Sequence, residues 1–134
     1  MKILVWGLGY VGTVTAACLA DLGHQVVGIE PNLSKVTMLS AGHSPVKEPG
    51  LDALVKKTVD NERLRAVSDG ISLVPWADVS LICVGTPSEA DGSPTLNHLR
   101  KVVADIGSGL RESVKYHVVA VRSTVFPGVT RNTL

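Results

Sequence analysis

The sequence predicts an α/β domain built on a doubly wound parallel sheet, and three observations predict it. Short apolar or β-branched runs alternate with stretches of helical spacing along the chain, as parallel strands joined by right-handed crossovers require. The first run meets a glycine-rich turn, Gly7-Leu8-Gly9-Tyr10-Val11-Gly12, that leads into a helical stretch. The second run ends in an acid, Glu30.

Lys2 to Trp6 is apolar and β-branched and stops at Gly7, the form of a strand buried on both faces. Val11 to Leu22 has helical spacing, with Val11, Val14, Cys18 and Leu22 on one apolar stripe, Ala17 beside it and Asp21 off it. Gly23 stands where a left-handed residue past a helix end is wanted. Gln25 to Ile29 is the second strand. Pro31 and Asn32 open a helix through about Ser40, since asparagine caps free amides and proline is tolerated near a helix start. Pro49 and Gly50 precede a helix over Leu51 to Val59. Arg65 to Val67 is a brief third strand and Val79 to Val84 a fourth, with room between them, from Asp69 to Trp76, for a short helix. Thr95 to Leu110 is helical through Leu96, Leu99, Val102, Val103 and Ile106, and Val118 to Val121 is a fifth strand. Ser123 to Val129 then reads as a strand-exit loop. Too few residues follow it for the helix it should begin, so the chain is expected to be truncated.

The 134 residues suit one domain, because a chain of about 150 residues buries roughly 68–70% of its unfolded surface. The composition, 45% hydrophobic and 19% charged, is globular. A net charge of +1 offers no basic stripe for nucleic acid and no polybasic patch for a membrane. The short apolar start at Met1 to Trp6 lacks the long apolar stretch and cleavage site of a secretion signal. No later segment has the ~18 uninterrupted apolar residues of a membrane span. No internal repeat or low-complexity segment occurs. The two cysteines, Cys18 and Cys83, lie in apolar patterns without disulfide or metal-ligand spacing, and buried apolar surroundings leave a thiol inert. The expected setting is a reducing cytoplasm. His24, His43, His98 and His117 are scattered without ligand spacing and read as surface residues, so no metal is expected. Trp6 reads as core packing.

The glycine pattern carries the chemistry through its placement. After a strand and before a helix, Gly7 permits the tight turn, Gly9 lets backbone approach a pyrophosphate, and Gly12 lets the helix pack closely on the strand. The helix start, including Tyr10 and Val11, presents free amides and a partial positive charge to phosphates. Glu30 follows Gly12 by 18 residues, 30 minus 12, close to the ~20 expected of the acid that accepts hydrogen bonds from an adenosine ribose. Its carboxylate repels a 2′-phosphate, and Pro31, Asn32 and Leu33 supply no arginine to receive one, so NAD is expected over NADP. Lys35, about one helical turn on, is in reach of the same ribose edge. Open α/β sheets bind ligands beyond the carboxyl ends of their strands. This adds Val84, Gly85, Thr86, Pro87 and Ser88 after the fourth strand, and Arg122, Ser123 and Thr124 after the fifth. Together these features specify a Rossmann fold.

Four stretches resemble the family of UDP-glucose and GDP-mannose dehydrogenases: Gly7 to Gly12, Ser44-Pro45-Val46-Lys47-Glu48-Pro49-Gly50-Leu51, Ile82-Cys83-Val84-Gly85-Thr86-Pro87-Ser88, and Arg122-Ser123-Thr124-Val125-Phe126-Pro127-Gly128. They span nearly the whole chain, and the last two look more like the GDP-mannose members than the UDP-glucose members. The resemblance implies an NAD-binding domain, residues 1–134, cut before the central helical and C-terminal sugar-nucleotide domains. It also implies two successive NAD-dependent oxidations of a sugar C6 alcohol to a carboxylate, through a thioester on a cysteine. In that scheme Thr86 contacts the cofactor and Thr124 matches the catalytic threonine that helps hold an active-site water. Glu30 is one carbon longer than the family's usual aspartate. The family's cysteine, lysine and asparagine, most contacts to the sugar nucleotide, and the contacts of a homodimer fall beyond these residues. This chain alone is expected to bind NAD without turnover. UDP-glucose and UDP-N-acetylmannosamine stay open as substrates. A stand-alone NAD-sensing module also fits the glycine loop and Glu30, though not the Glu48-Pro49-Gly50 and Ser123-to-Gly128 stretches.

Overall fold

A computed structural model describes residues 1–87, 95–111 and 113–132. Ser88 of the expected site lies outside the described residues. Five strands form one parallel sheet: β1 Lys2–Trp6, β2 Gln25–Ile29, β3 Leu64–Val67, β4 Val79–Ile82 and β5 Val118–Val121. Their order is β3-β2-β1-β4-β5. The chain moves outward from β1 to β3 and then returns to β4 on the other side of β1. The gap between the carboxyl ends of β1 and β4 is therefore the topological switch point, where such sheets bind ligands. The helices are α1 Tyr10–Asp21, α2 Leu33–Ser40, α3 Leu51–Asp60, α4 Asn97–Leu110 and a single turn, α5, Val129–Asn132. The segment before β4 is a 3-10 helix, Ile71–Trp76.

The strands are continuous apolar runs, yet their side chains alternate between two cores. Ile3, Val5 and Val26 join Leu8, Ala16, Ala17, Leu39, Leu51, Val55 and Leu64 on one face. Leu4, Trp6, Val27, Ile29 and Ile82 join Val74, Leu99 and Ile106 on the other. Local signals set the element ends. Asn32 caps α2 by accepting a hydrogen bond from the Ser34 amide at 3.0 Å, and Gly23 ends α1 at φ +92°. β4 stops at Ile82 rather than Val84, although the Cys83 amide still donates to the Trp6 carbonyl at 2.8 Å.

α1 buries a different face from the one its large apolar residues predict. Val11, Cys18 and Leu22 are exposed, while Gly12, Thr13, Ala16, Ala17 and Ala20 are buried. α1 lies too close to the sheet for large side chains: a Cβ on Gly12 would stand 1.8 Å from the Gly7 carbonyl oxygen. Small residues carry little hydrophobic signal, so periodicity of large residues picks the outer face. Cys18 is thus a surface thiol. Cys83 is buried as expected, and burial pushes its thiol pKa up against a smaller lowering by Arg122.

His117 is also more than a surface residue. One ring nitrogen lies 3.1 Å from the Ala77 carbonyl oxygen and the other 3.0 Å from the Ser80 hydroxyl. Ser80 in turn accepts from the Trp6 indole N–H at 3.2 Å. The buried hydroxyl of β4 is thereby satisfied from both sides.

Candidate functional site

A cavity of ≈ 610 Å³ opens at the switch point, within the size range of small-molecule and cofactor sites, about 300–1,000 Å³. Gly7 and Gly9 form its floor, Glu30, Pro31 and Lys35 one wall, and Val84 and Gly85 lie beside β4. Two further walls come from Asp69, Gly70 and Ile71, and from His98, Lys101, Val102 and Asp105 of α4. Trp6 reaches the cavity too, from the core in which it is buried.

The glycine loop is built from both sides. Gly7 takes φ +94°, and its amide donates to the Ile29 carbonyl at 2.8 Å. Leu8 then points into the core, where it is fully buried beneath Gly28; a Cβ there would come within 2.7 Å of the Leu8 side chain. A Cβ on Gly9 meets nothing within 4 Å, so this side of the loop is open. Gly9 supplies no side-chain cap to α1, and the first turn holds no acid. The amides at Tyr10, Val11 and Gly12 have no intrahelical acceptor and keep their partial positive charge for an anion. These features fit the pyrophosphate of a dinucleotide: an open backbone approach, free amides and no competing carboxylate.

Glu30 is 7% exposed as a residue, unusual for a carboxylate. Its Oε2 accepts from the Leu8 amide at 3.0 Å and lies 3.4 Å from Lys35 Nζ, and its Oε1 accepts from the Asn32 amide at 3.1 Å. The ion pair holds Lys35 beside Glu30 on the same cavity wall.

Gly7, Gly9, Glu30, Lys35, Val84 and Gly85 are brought together on the cavity. Gly12 lies behind it, packed on Gly7. Thr86, Ser123 and Thr124 lie beyond its lining, tied to one another's loops. The Thr86 hydroxyl donates to the Thr124 carbonyl at 2.9 Å and the Ser123 hydroxyl to the Val84 carbonyl at 2.7 Å. Arg122 reaches back to the Thr15 hydroxyl. The exits of β4 and β5 therefore form one ledge beside the glycine loop. Tyr10 is exposed, and its hydroxyl donates to the Glu48 carboxylate, which raises the phenol pKa. Val11 is exposed beside it.

Sequence reasoning missed Asp69, Gly70, Ile71, Lys101 and Asp105 and read His98 as an ordinary surface histidine. His98, Lys101, Val102 and Asp105 share one face of α4, a helical spacing that signals a face but not what it covers. Among the described residues, no group of histidine, cysteine and acidic side chains is placed to hold a metal, and no helix is long and apolar enough to cross a membrane.

Residues 1–134 match the UDP-glucose/GDP-mannose dehydrogenase family, NAD binding domain. A GDP-mannose 6-dehydrogenase of Pseudomonas putida is 43% identical over 132 residues, covering 98% of this chain and 30% of the relative. The structure of a ternary complex of GDP-mannose dehydrogenase from Pseudomonas aeruginosa superposes with a TM-score of 0.96 at 43% identity, over 98% of this chain and 30% of that one. A UDP-glucose dehydrogenase from Pyrobaculum islandicum gives a TM-score of 0.91 at 39% identity, over 96% of this chain and 30% of that one. The chain spans about a third of the length of the curated relatives it matches. With the family model matched over residues 1–134 and the fold superposing on that of its members, this chain belongs to the UDP-glucose/GDP-mannose dehydrogenase family and carries that family's NAD binding domain.

Proposed function

We propose that these residues bind NAD for an enzyme that oxidises the C6 alcohol of a sugar nucleotide to a carboxylate in two NAD-dependent steps, with GDP-mannose as substrate. The observation that carries the reading is the cavity bounded by the open glycine loop and by Glu30. In this reading the amides at Gly9 to Gly12 hold the pyrophosphate, and Glu30 with Lys35 holds the adenosine ribose. The ledge of Val84, Gly85, Thr86 and Ser123 carries the nicotinamide half. Bound there, NAD supplies the hydride acceptor. Thr124, whose carbonyl is already engaged by Thr86, offers its hydroxyl to an active-site water.

The preference for GDP-mannose draws on the Arg122-to-Gly128 wording and on the 43% identity to a GDP-mannose enzyme against 39% to a UDP-glucose enzyme. The thiol of Cys83 is buried and Cys18 lies outside the cavity lining, so neither serves as the nucleophile. That cysteine, the sugar site and the homodimer contacts belong to further domains of a longer protein, and the protein works in the cytoplasm.

Calorimetric titration tests the cofactor assignment. The expected outcome is that NAD binds the chain, NADP binds much more weakly and Glu30→Ala weakens NAD, and that an assay with GDP-mannose gives no turnover with these residues alone. Failure of NAD to bind refutes the assignment for the isolated chain. Oxidation of UDP-glucose in preference to GDP-mannose by the longer protein refutes the substrate.

A further inference from the structure

His117 lies outside the cavity lining, yet a line of hydrogen bonds runs from its ring to Trp6, which is on that lining. Nδ1 of the imidazole stands 3.1 Å from the Ala77 carbonyl oxygen, and Nε2 stands 3.0 Å from the Ser80 hydroxyl. Ser80 is fully buried, and its oxygen lies 3.2 Å from the indole Nε1 of Trp6. Both flanks of the imidazole are held. Ala77 is buried and its amide donates to the Val74 carbonyl at 3.1 Å, while the amide of Val118, next in the chain to His117, donates to the Asp78 carbonyl at 3.0 Å.

The chemistry of each partner gives the line a direction. A carbonyl oxygen only accepts, so in the neutral ring Nδ1 carries the proton and Nε2 is left as an acceptor. An indole N–H only donates, so Ser80 accepts from Trp6 and sends its own proton to Nε2. A serine hydroxyl otherwise rotates to suit its surroundings. With its proton committed to the imidazole, its lone pairs face the indole, and bonds strung together in this way strengthen one another in a buried setting. The rest of the Trp6 side chain packs in an apolar cluster with Ile29, Val74, Ile82 and Leu99. Apolar contact is non-directional, whereas the bond from Nε1 fixes the turn of the ring. The other edge of that ring borders the cavity: Trp6 and Gly70 both line it, and a Cβ on Gly70 would stand 3.1 Å from Trp6 Cη2. A ring turned from this position enters the cavity or presses on Gly70.

We propose that His117, with its proton on Nδ1, is a positioning residue for the cofactor cavity, and that it acts through the Ser80 hydroxyl to hold the Trp6 indole against Gly70. The part played by NAD in this inference rests on the cofactor reading above. His117 touches no ligand in it. Its effect on the cofactor passes wholly through the indole N–H of Trp6, and that route separates it from a residue that only stabilises the fold.

The experiment titrates the full chain with NAD, alongside His117→Leu, His117→Gln, Trp6→Phe and the double variant His117→Leu with Trp6→Phe. His117→Leu is expected to weaken NAD about three- to tenfold, as the fraction of chains with the ring in place falls by the worth of one hydrogen bond. His117→Gln, whose amide oxygen accepts from Ser80, recovers most of that loss. In the Trp6→Phe background no N–H remains to be held, so His117→Leu has no further effect there. A general loosening of the fold would weaken NAD in both backgrounds. A loss that persists with Trp6→Phe therefore overturns the proposal, as does a folded His117→Leu with the affinity of the parent chain. NMR reads the same arrangement without ligand, with Trp6→Phe separating the Trp6 signals from those of Trp76. The imidazole nitrogen shifts should place the proton on Nδ1, and the Trp6 ring should give a nuclear Overhauser contact to the Gly70 α protons that His117→Leu loses. A proton on Nε2, or a contact that His117→Leu leaves unchanged, also overturns it. If His117→Leu fails to fold, Ser80→Ala, which removes the middle link, decides by the same readouts in the same two backgrounds. A parent chain that binds no NAD refutes the cofactor reading, and the NMR contact then decides the positioning by itself.

Discussion

At the scale of single residues, the site depends on where a side chain is missing as much as on where one is present. Gly12 is the sharpest case, because the oxygen that a Cβ would strike at 1.8 Å belongs to the backbone of Gly7 and not to a flexible side chain. Gly12→Ala must push α1 away from β1. The expected outcome is a loss of about 1–3 kcal/mol of stability, the usual range for overpacking, with NAD affinity reduced at least tenfold because the α1 amides move off the phosphate. Urea melts and calorimetry on the same preparation check both, and an unchanged affinity would show that those amides do not contact the cofactor. Glu30 shows the complementary role: a buried charge stays tolerable because three donors surround it.

At the scale of elements, the amino ends of the strands are tied together at the edge opposite the site. Asp78, just before β4, accepts from the Lys2 amide of β1 at 2.7 Å and pairs with Lys115, which leads into β5. Its backbone joins the same strands, donating to the Lys2 carbonyl at 2.8 Å and accepting from the Val118 amide at 3.0 Å. The Lys115 ammonium, and then the Lys2 amide, hold the Asp78 carboxyl below its ordinary value of 3.8. A carboxyl lowered by folding contributes stability that is complete above the unfolded value and disappears as pH falls through the folded one. The chain is therefore expected to lose stability below about pH 4 partly through this group, and Asp78→Asn to flatten that part of the acid dependence. Urea midpoints from about pH 5 down to pH 2 measure it. Identical slopes for the two proteins would remove Asp78 from the account. NAD affinity at neutral pH should not change, because the tie lies at the far end of the strands.

At the scale of the whole molecule, cofactor and fold are linked because the cavity draws its walls from distant parts of the sequence, from Trp6 to Asp105. A ligand that binds only the folded state stabilises it in proportion to its saturation. NAD at a hundred times its Kd adds about 2.7 kcal/mol, which raises Tm by roughly 5–11 °C at 2–4 °C per kcal/mol. A thermal melt with and without NAD reads this directly, and a shift of equal size with NADP would contradict the selectivity assigned to Glu30. The reach of the site also divides features with a local cause in the chain from features made by distant segments meeting. The strand and helix alternation, the Gly7-to-Gly12 turn, the Asn32 cap, the Gly23 helix end and the acid at position 30 were legible, because each is a local pattern with a local physical cause. The buried face of α1 was not, because its residues are small and their burial comes from how closely two elements approach. Nor were the cavity walls at Asp69 to Ile71 and along α4, or the bond from the Leu8 amide to Glu30. Those depend on chain segments far apart in sequence meeting in space, and periodicity along one segment carries no record of its neighbour.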